Sequence, residues 1–355
     1  MKKVLGLALY GPLAASTRYR LGQYVPGLAE HGIDLDIRYL LGDVYLRRTF
    51  GGESMPWLSM LQAGWNRFGD LLHQSRYAAV MLHCELFPLV PGWAERALLQ
   101  KPYLYDFDDA FYLKYRTGRL RRLGGLLGGK FDSVMTGAAA ITAGNHVLAA
   151  YAQQHNPNTH FLPTVVDTTR YKPEQRARGR ELVLGWIGSP STAPYLAELV
   201  GPLTALGREG PVRLVVIGGR APQIENVTIE EREWSEATEV ALINCFDVGL
   251  MPLPDAPWAR GKCAFKLIQY MACGVPVVAS PVGANVDVVQ ADCGLLAGNE
   301  STWLEALRTL RDQPQRAREM GMAGRERVER DYSLRSNLPI LANVVRATVD
   351  RGPAN

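Results

Sequence analysis

Short apolar runs alternate with turn residues and longer amphipathic stretches along most of the chain. Lys2 to Tyr10 reads as a buried strand ending in a loop at Gly11-Pro12. Tyr19 to His31 has a helical period, with Leu21, Tyr24, Val25 and Leu28 on one side and Gly32 at the usual stop position. Asp34 to Leu40 alternates as a strand does. Ala78 to His83 and Pro102 to Tyr105 are further short apolar runs, and Ala138 to Thr142 leads into another helix. A second series begins near Glu181: a strand Leu182 to Ile187, a helix Tyr195 to Leu206, then strands Val212 to Ile217, Val248 to Met251 and Val275 to Ala279. This alternation predicts an α/β protein, with parallel sheets and helices on both faces.

Between the two series lies Phe161-Leu162-Pro163-Thr164-Val165-Val166-Asp167, followed by Tyr171-Lys172-Pro173. The expected domains are therefore 1–166 and 167–335. A last amphipathic helix, Leu338 to Val349, falls in a segment of about 336–355. At 355 residues the chain is long enough for two ordinary cores without disulfides or metals. The five cysteines are odd in number and none is spaced C-x-x-C, which speaks against a disulfide framework or zinc site and fits a reducing cytoplasm. Lys2-Lys3, the apolar run to Tyr10 and Ala14-Ala15-Ser16 imitate a signal peptide, but Gly11-Pro12 interrupts the pattern. Leu267 to Val286 has no charge, yet Gly274, Pro276, Pro281 and Gly283 make it a poor spanning helix.

Charge changes this picture modestly. The net charge of +4 does not indicate a nucleic-acid binder. It is uneven: the first 166 residues carry 17 Lys/Arg against 12 Asp/Glu, the remainder 22 against 23. Lys114, Arg116, Arg119, Arg121, Arg122 and Lys130 alternate with leucines, which suits either an anionic membrane surface or a solvated face. Trp57, Leu61, Trp65, Phe68 and Leu72 share a helical spacing. They read first as core, and otherwise as an amphipathic face for a lipid-linked acceptor.

The stretch Trp258 to Ser280 holds the most informative chemistry. A glycine-containing loop (Arg260-Gly261-Lys262-Cys263-Ala264) opens a helix beginning near Phe265, capped by Gly274 and followed by a β-branched strand. Such a helix start presents free N–H groups to a phosphate. Lys266 and Gln269 share a face, and a cation with an amide there suits a diphosphate and ribose hydroxyls. Gly124 to Lys130 fits G-x-x-x-x-G-K by spacing, but Phe131 replaces the magnesium-binding Ser/Thr. His83 and Glu85 follow another strand, where such a pair is more often structural.

Trp258 to Ser280, with Pro281-Val282-Gly283, Cys293-Gly294-Leu295-Leu296, Met320-Gly321, Gly324-Arg325 and Tyr332-Ser333, resembles the C-terminal half of glycosyltransferase family 4. Pro163 to Asp167, Gly185-Trp186-Ile187-Gly188-Ser189 and Phe246-Asp247-Val248-Gly249-Leu250-Met251-Pro252 extend the resemblance. In the first half, Ser16-Thr17-Arg18-Tyr19-Arg20 and Asp106-Phe107-Asp108-Asp109 look like one branch of the family.

The resemblance implies two facing Rossmann-like domains (the GT-B arrangement). The first would be acceptor-binding and joined by the C-terminal helix. The second would hold a UDP- or GDP-sugar donor. It implies retaining transfer to a glycan or lipid-linked acceptor without a cofactor or required metal, by a cytoplasmic enzyme that can lie peripherally on the membrane, and a default role in envelope polysaccharide synthesis. Gly188, Ser189, Gly218, Arg260, Gly261, Cys263, Ala264, Phe265, Leu267 and Gln269 would line the donor, with Lys262 and Lys266 meeting the leaving diphosphate. Gly11, Arg18 or Arg20, and Asp106 would stand on the acceptor side, with Asp108 or Asp109 facing the reacting groups. Two family glutamates are replaced, by Gly261 and Gln269, which leaves room for a non-catalytic sugar-nucleotide-binding subunit. A nicotinamide-dependent oxidoreductase has a similar sheet pattern, but the glycine fingerprint is missing.

Overall fold

The computed structural model describes residues 1–174 and 179–351. The side chain of Arg119 lies outside what is described. The chain divides into two compact units: Met1–Val165 with Gly261–Cys263 and Leu334–Asn355, and Val166–Arg260 with Ala264–Ser333.

Unit 1 is built on a six-stranded parallel sheet of β1 (Lys2–Tyr10), β2 (Ile33–Leu41), β3 (Ala79–His83), β4 (Tyr103–Phe107), β5 (Ala140–Ala143) and β6 (Thr159–Phe161), in the order β2-β1-β3-β4-β5-β6. β3, β4 and β5 are buried throughout, as continuous apolar runs in a sheet covered on both faces should be. The last helix, Leu334–Asp350, lays Leu341, Ala342, Val344 and Val345 into the core formed by Val4, Leu28, Met81 and Leu104.

Unit 2 repeats the plan with β7 (Leu182–Ile187), β8 (Val212–Ile217), β9 (Val227–Arg232), β10 (Val248–Met251), β11 (Val277–Ala279) and β12 (Gly294–Leu296), in the order β12-β11-β10-β7-β8-β9. Several glycines of the family-like motifs turn out to be packing devices. A Cβ at Gly185 would lie 2.0 Å from the Phe246 ring, one at Gly249 2.3 Å from Tyr270, and one at Gly321 2.0 Å from the Gly274 carbonyl. Arg325 donates to the carbonyls of Tyr171, Ala272 and Thr168, which ties its helix to the start of the unit.

Three expectations are corrected. The helical period over Tyr19 to His31 is broken into Ala15–Arg20, a tight turn Gly22–Tyr24 and Val25–Glu30, because Gly22 and Pro26 interrupt the ladder. The helix Tyr195 to Leu206 begins instead as a 3₁₀ stretch, Ala193–Leu199, before Val200–Glu209. The third correction concerns Trp57–Leu72. It is a helix, but Trp57, Leu61, Trp65 and Leu72 point outward, while Arg67 and Leu71 are buried. The stripe first read as core is not core.

Candidate functional site

In an open parallel sheet, ligands bind beyond the carboxyl ends of the strands, where the strand order reverses. In unit 2 that point lies between β7 and β10, and β7 ends at Gly188. Gly188 N–H donates to the Ile217 carbonyl (3.0 Å), and Gly218, at φ +76°, donates to the Arg232 carbonyl (2.9 Å). The two glycine backbones touch: a Cβ at Gly218 would stand 2.4 Å from the Gly188 carbonyl. A Cβ at Gly188 would meet the Trp186 ring at 2.4 Å and Lys266 Nζ at 2.8 Å. Nothing larger than hydrogen fits at either place.

Lys266 stands on the second residue of the helix Phe265–Ala272. Its ammonium lies 4.1 Å from the centre of the buried Trp186 ring and reaches Thr192 Oγ1 at 3.4 Å. Ser189 and Ser191 share a hydroxyl hydrogen bond of 2.8 Å. Hydroxyls and a half-buried cation thus gather beside glycine backbone at the switch point, a set that suits a polyanion.

Other expected donor residues lie elsewhere. Leu267 is core, and Ala264 holds the left-handed N-cap turn at φ +53°. Phe265 packs partly buried against the core. Gln269 is buried, and its amide donates to Tyr171 Oη (2.8 Å), which donates to Glu239 (2.8 Å). That hydrogen bond occupies one of the two amide N–H groups expected to serve ribose. Glu239 also accepts from Trp234 Nε1 and Arg170. Sequence reasoning missed this buried carboxylate, because nothing in the pattern around it differs from an ordinary helix start. Arg260 is exposed, and its guanidinium pairs with Asp255 at 2.6 and 2.9 Å.

Unit 1 reverses its strand order between β1 and β3, and charged side chains fill that edge. Arg20 is fully buried and pairs bidentately with Asp106. Asp106 also accepts from Thr142 (2.6 Å) and meets His83 Nδ1 (2.8 Å). Burial alone would raise the Asp106 pKa, but Arg20 beside it holds the carboxyl well below the usual carboxylate range. Arg20 and Asp106 are therefore corrected from acceptor contacts to a buried brace, their polar atoms being spent on each other. Arg18 donates to the carbonyls of Pro12 (2.7 Å) and Leu13 (2.8 Å), bracing the first loop. Gly11 is required there, since a Cβ would strike Asp43 at 2.5 Å.

Gly261–Cys263 group with this unit. Asn145 donates to the Gly261 and Lys262 carbonyls (2.8 and 3.0 Å), and the Cys263 thiol to the Asp108 carbonyl (3.0 Å). Lys262 Nζ stands 3.3 Å from Asp109. Burial pushes the Asp109 carboxyl up to about 6; Lys262 opposes the rise and Asp108 adds to it. The missing family glutamate has a steric reason here, because a Cβ at Gly261 would lie 2.6 Å from Ala110. Asn145 escaped the sequence reading, although Asn after an apolar strand is an N-cap signal, and it does cap its helix through Leu148 N–H. Among the described residues, His83, Cys84 and Asp108 form one group of three metal-ligand types, with atoms within 4.8 Å. Burial, then Asp108, raises the Cys84 thiol and disfavours its thiolate.

Lys130, the lysine of the phosphate-loop-like spacing, is fully buried between Glu85 (2.7 Å) and Glu95 (2.9 Å). It is a structural ion pair, and Glu85 is structural with it.

Residues 182–313 match the family model described as Glycosyl transferases group 1. Residues 182–313 of unit 2 are thus similar to the group 1 glycosyl transferases. Sucrose-phosphate synthase from Thermosynechococcus elongatus matches with a TM-score of 0.70 at 14% identity, over 98% of either chain. Anabaena HepE in complex with UDP-glucose matches with a TM-score of 0.71 at 14% identity, over 98% of this chain and 100% of that one. The lipopolysaccharide outer core galactosyltransferase WaaB matches at 0.64 and 11%, over 97% and 99%. No curated protein matches in sequence. The chain has the GT-B type of fold, two six-stranded parallel sheets with helices around them.

Proposed function

We propose that the chain is a retaining transferase that moves a sugar from a nucleotide-diphosphate donor to a glycan or lipid-linked acceptor in envelope polysaccharide synthesis. The observation that carries the donor assignment is the switch point of unit 2, where Gly188 and Gly218 bare their backbones beside Lys266. UDP-glucose in the complex of HepE favours a UDP-sugar over a GDP-sugar.

In this reading the bond from the anomeric carbon to the β-phosphate oxygen breaks as the acceptor oxygen bonds to the same face of that carbon. The acceptor's proton passes to the leaving diphosphate, so no protein base is needed. Lys266 stabilises the charge that develops on the leaving group. Fixed cations aimed at such charge usually lower the barrier more than any other single effect. Asp109, with Asp108, stands on the acceptor side and positions Lys262 through their ion pair.

Lys266→Ala should raise the transfer barrier by ~2–4 kcal/mol, a loss of roughly 10²–10³ in turnover. Near-normal turnover in that variant sinks the assignment. Full activity in excess chelator is expected. Loss of activity there, restored by added metal, would point to His83, Cys84 and Asp108 instead.

One observation favours a second reading. Gly261 and Gln269 replace two family glutamates, and the amide of Gln269 is engaged by Tyr171. A sugar-nucleotide-binding subunit without catalysis fits that loss. Donor binding by the purified protein with neither hydrolysis nor transfer across a panel of acceptors would establish it.

A further inference from the structure

His83 is the last residue of β3, Cys84 follows it, and Asp108 follows β4 on the neighbouring strand. Successive side chains of an extended strand point to opposite faces, so a His-Cys pair does not ordinarily converge. Here it does, because Cys84 leaves the strand in the left-handed region at φ +66°, which few residues with a side chain adopt. Its N–H donates to the Asp106 carbonyl (3.0 Å) and its carbonyl accepts from Tyr105 Oη (2.9 Å), so the turn is held from both sides. The thiol stands 3.1 Å from His83 Nε2. On the far side of the ring, Nδ1 lies 2.8 Å from Asp106, which Arg20 keeps ionised. The ring hydrogen therefore sits on Nδ1, and the Nε2 lone pair faces the thiol. Asp108 completes the corner. One ligand atom from each of the three side chains lies within 4.8 Å of the others, and among the described residues the half-buried Asp108 carboxylate accepts no hydrogen bond.

We propose that His83 Nε2, Cys84 Sγ and an Asp108 carboxylate oxygen form a three-ligand site for a thiophilic divalent cation of the zinc class, with the fourth position open. Imidazole, thiolate and one carboxylate are ligands that zinc takes, whereas magnesium and calcium take oxygen. With bonds of about 2.0 Å to nitrogen and 2.3 Å to sulfur, a tetrahedral ion sets those two ligands about 3.5 Å apart. The 3.1 Å between Nε2 and Sγ needs only a slight opening. Asp106 already holds the place behind the ring that a metal-bound imidazole requires, accepting Nδ1–H and fixing the ring's orientation. Burial, then the Asp108 and Asp106 carboxylates, disfavour a bare thiolate at Cys84. A cation answers both: it takes the place of the thiol proton, which passes to solvent, and the same carboxylates attract it. It also holds the Asp108 carboxylate that the reading above turns toward the reacting groups, so loading should slow transfer. That consequence rests on that reading; the site does not.

The full chain, freed of metal by chelator and kept reduced, is titrated with cobalt(II) as an optical stand-in for zinc. A thiolate-to-cobalt charge-transfer band should grow to one equivalent per chain, and zinc should bleach it while excess magnesium does not. Cys84→Ser should abolish the band and weaken zinc binding at least roughly tenfold, with circular dichroism and nucleotide binding as in the parent chain. Asp108→Asn leaves the buried turn as it is. It should keep the sulfur band and weaken zinc binding by a similar factor. Cys245→Ser, which removes the exposed thiol, should change nothing. Absence of the band in the parent chain overturns the proposal. So does a band that survives Cys84→Ser or is lost in Cys245→Ser, and so does unchanged zinc affinity in Asp108→Asn. Zinc bound as expected with undiminished transfer supports the site and counts only against the place given to Asp108 in the reaction.

Discussion

At the carboxyl edge of the unit 1 sheet, the side chains beneath the loops are charged. Arg20 lies on Asp106, which also holds His83 and Thr142, and a few residues away Lys130 lies between Glu85 and Glu95. At the same edge of unit 2, the corresponding places are taken by glycine backbone and the flat ring of Trp186, with a single lysine above. Buried ion pairs fix loops in one geometry and consume their own polar atoms. Glycine backbone lets two strand ends meet closely and leaves the surface above them to hydroxyls and a cation. The difference teaches why Arg18, Arg20 and Asp106 on the unit 1 side proved to be braces, while Gly188, Gly218 and Lys266 on the unit 2 side remain fit for a ligand.

The contrast between the two edges is broken most visibly at Arg20. Arg20→Ala leaves Asp106 as a buried charge facing only His83 and Thr142, which should cost about 3–5 kcal/mol. Arg20→Met combined with Asp106→Asn should recover much of this, because no uncompensated charge remains. Denaturant unfolding followed by a unit 1 probe reads the difference. A loss below about 1 kcal/mol would mean that the edge is not held by charge.

The glycine edge is tested more gently by Gly218→Ala. The backbone there sits at φ +76°, and the new methyl would lie 2.4 Å from the Gly188 carbonyl. Strain and collision together should cost about 1–3 kcal/mol and weaken nucleotide binding. Gly32→Ala is the control, since Gly32 has nearly the same φ, +77°, with nothing within 4 Å of the added Cβ. It should lose only the conformational part, about 1 kcal/mol. Equal losses at the two sites would show that the close approach at Gly218 carries no energy.

Much of the fold was legible because both sheets are made of continuous apolar runs punctuated by glycine and proline. The strands β6, β9 and β12 escaped notice because they are short or half-exposed edge strands with no clear period. The placement of Gly188 and Gly218 at strand ends and of Lys266 at a helix start was legible, because it follows from local sequence. It was illegible wherever a long-range partner decides the role. Nothing near Arg20 in sequence announces Asp106, 86 residues away, and nothing near Arg260 separates a ligand contact from the Asp255 pair. The stripe Trp57 to Leu72 shows the same limit: helical spacing reports that a face is apolar, not which neighbour covers it.

The smallest effect sits at Asp109. Its carboxyl titrates at about 6, raised by burial and by Asp108 against the pull of Lys262. The folded state therefore takes up this proton more readily than the unfolded chain, whose aspartates titrate at ~4. Stability from that proton is full below ~4 and is lost as the pH rises through about 6. Asp109→Asn, which cannot ionise, should gain on the parent chain across that window. The side chain is about a third exposed, so solvent screening reduces the gain to the order of 1 kcal/mol. Removing the opposing cation with Lys262→Met should move the titration higher still and widen the window. If the stability difference between Asp109→Asn and the parent is flat from about pH 4 to 7, the carboxylate is as well solvated as any surface aspartate. Its pairing with Lys262 would then be a surface contact, and unit 1 would owe its fixed edge to Arg20 and Lys130 alone.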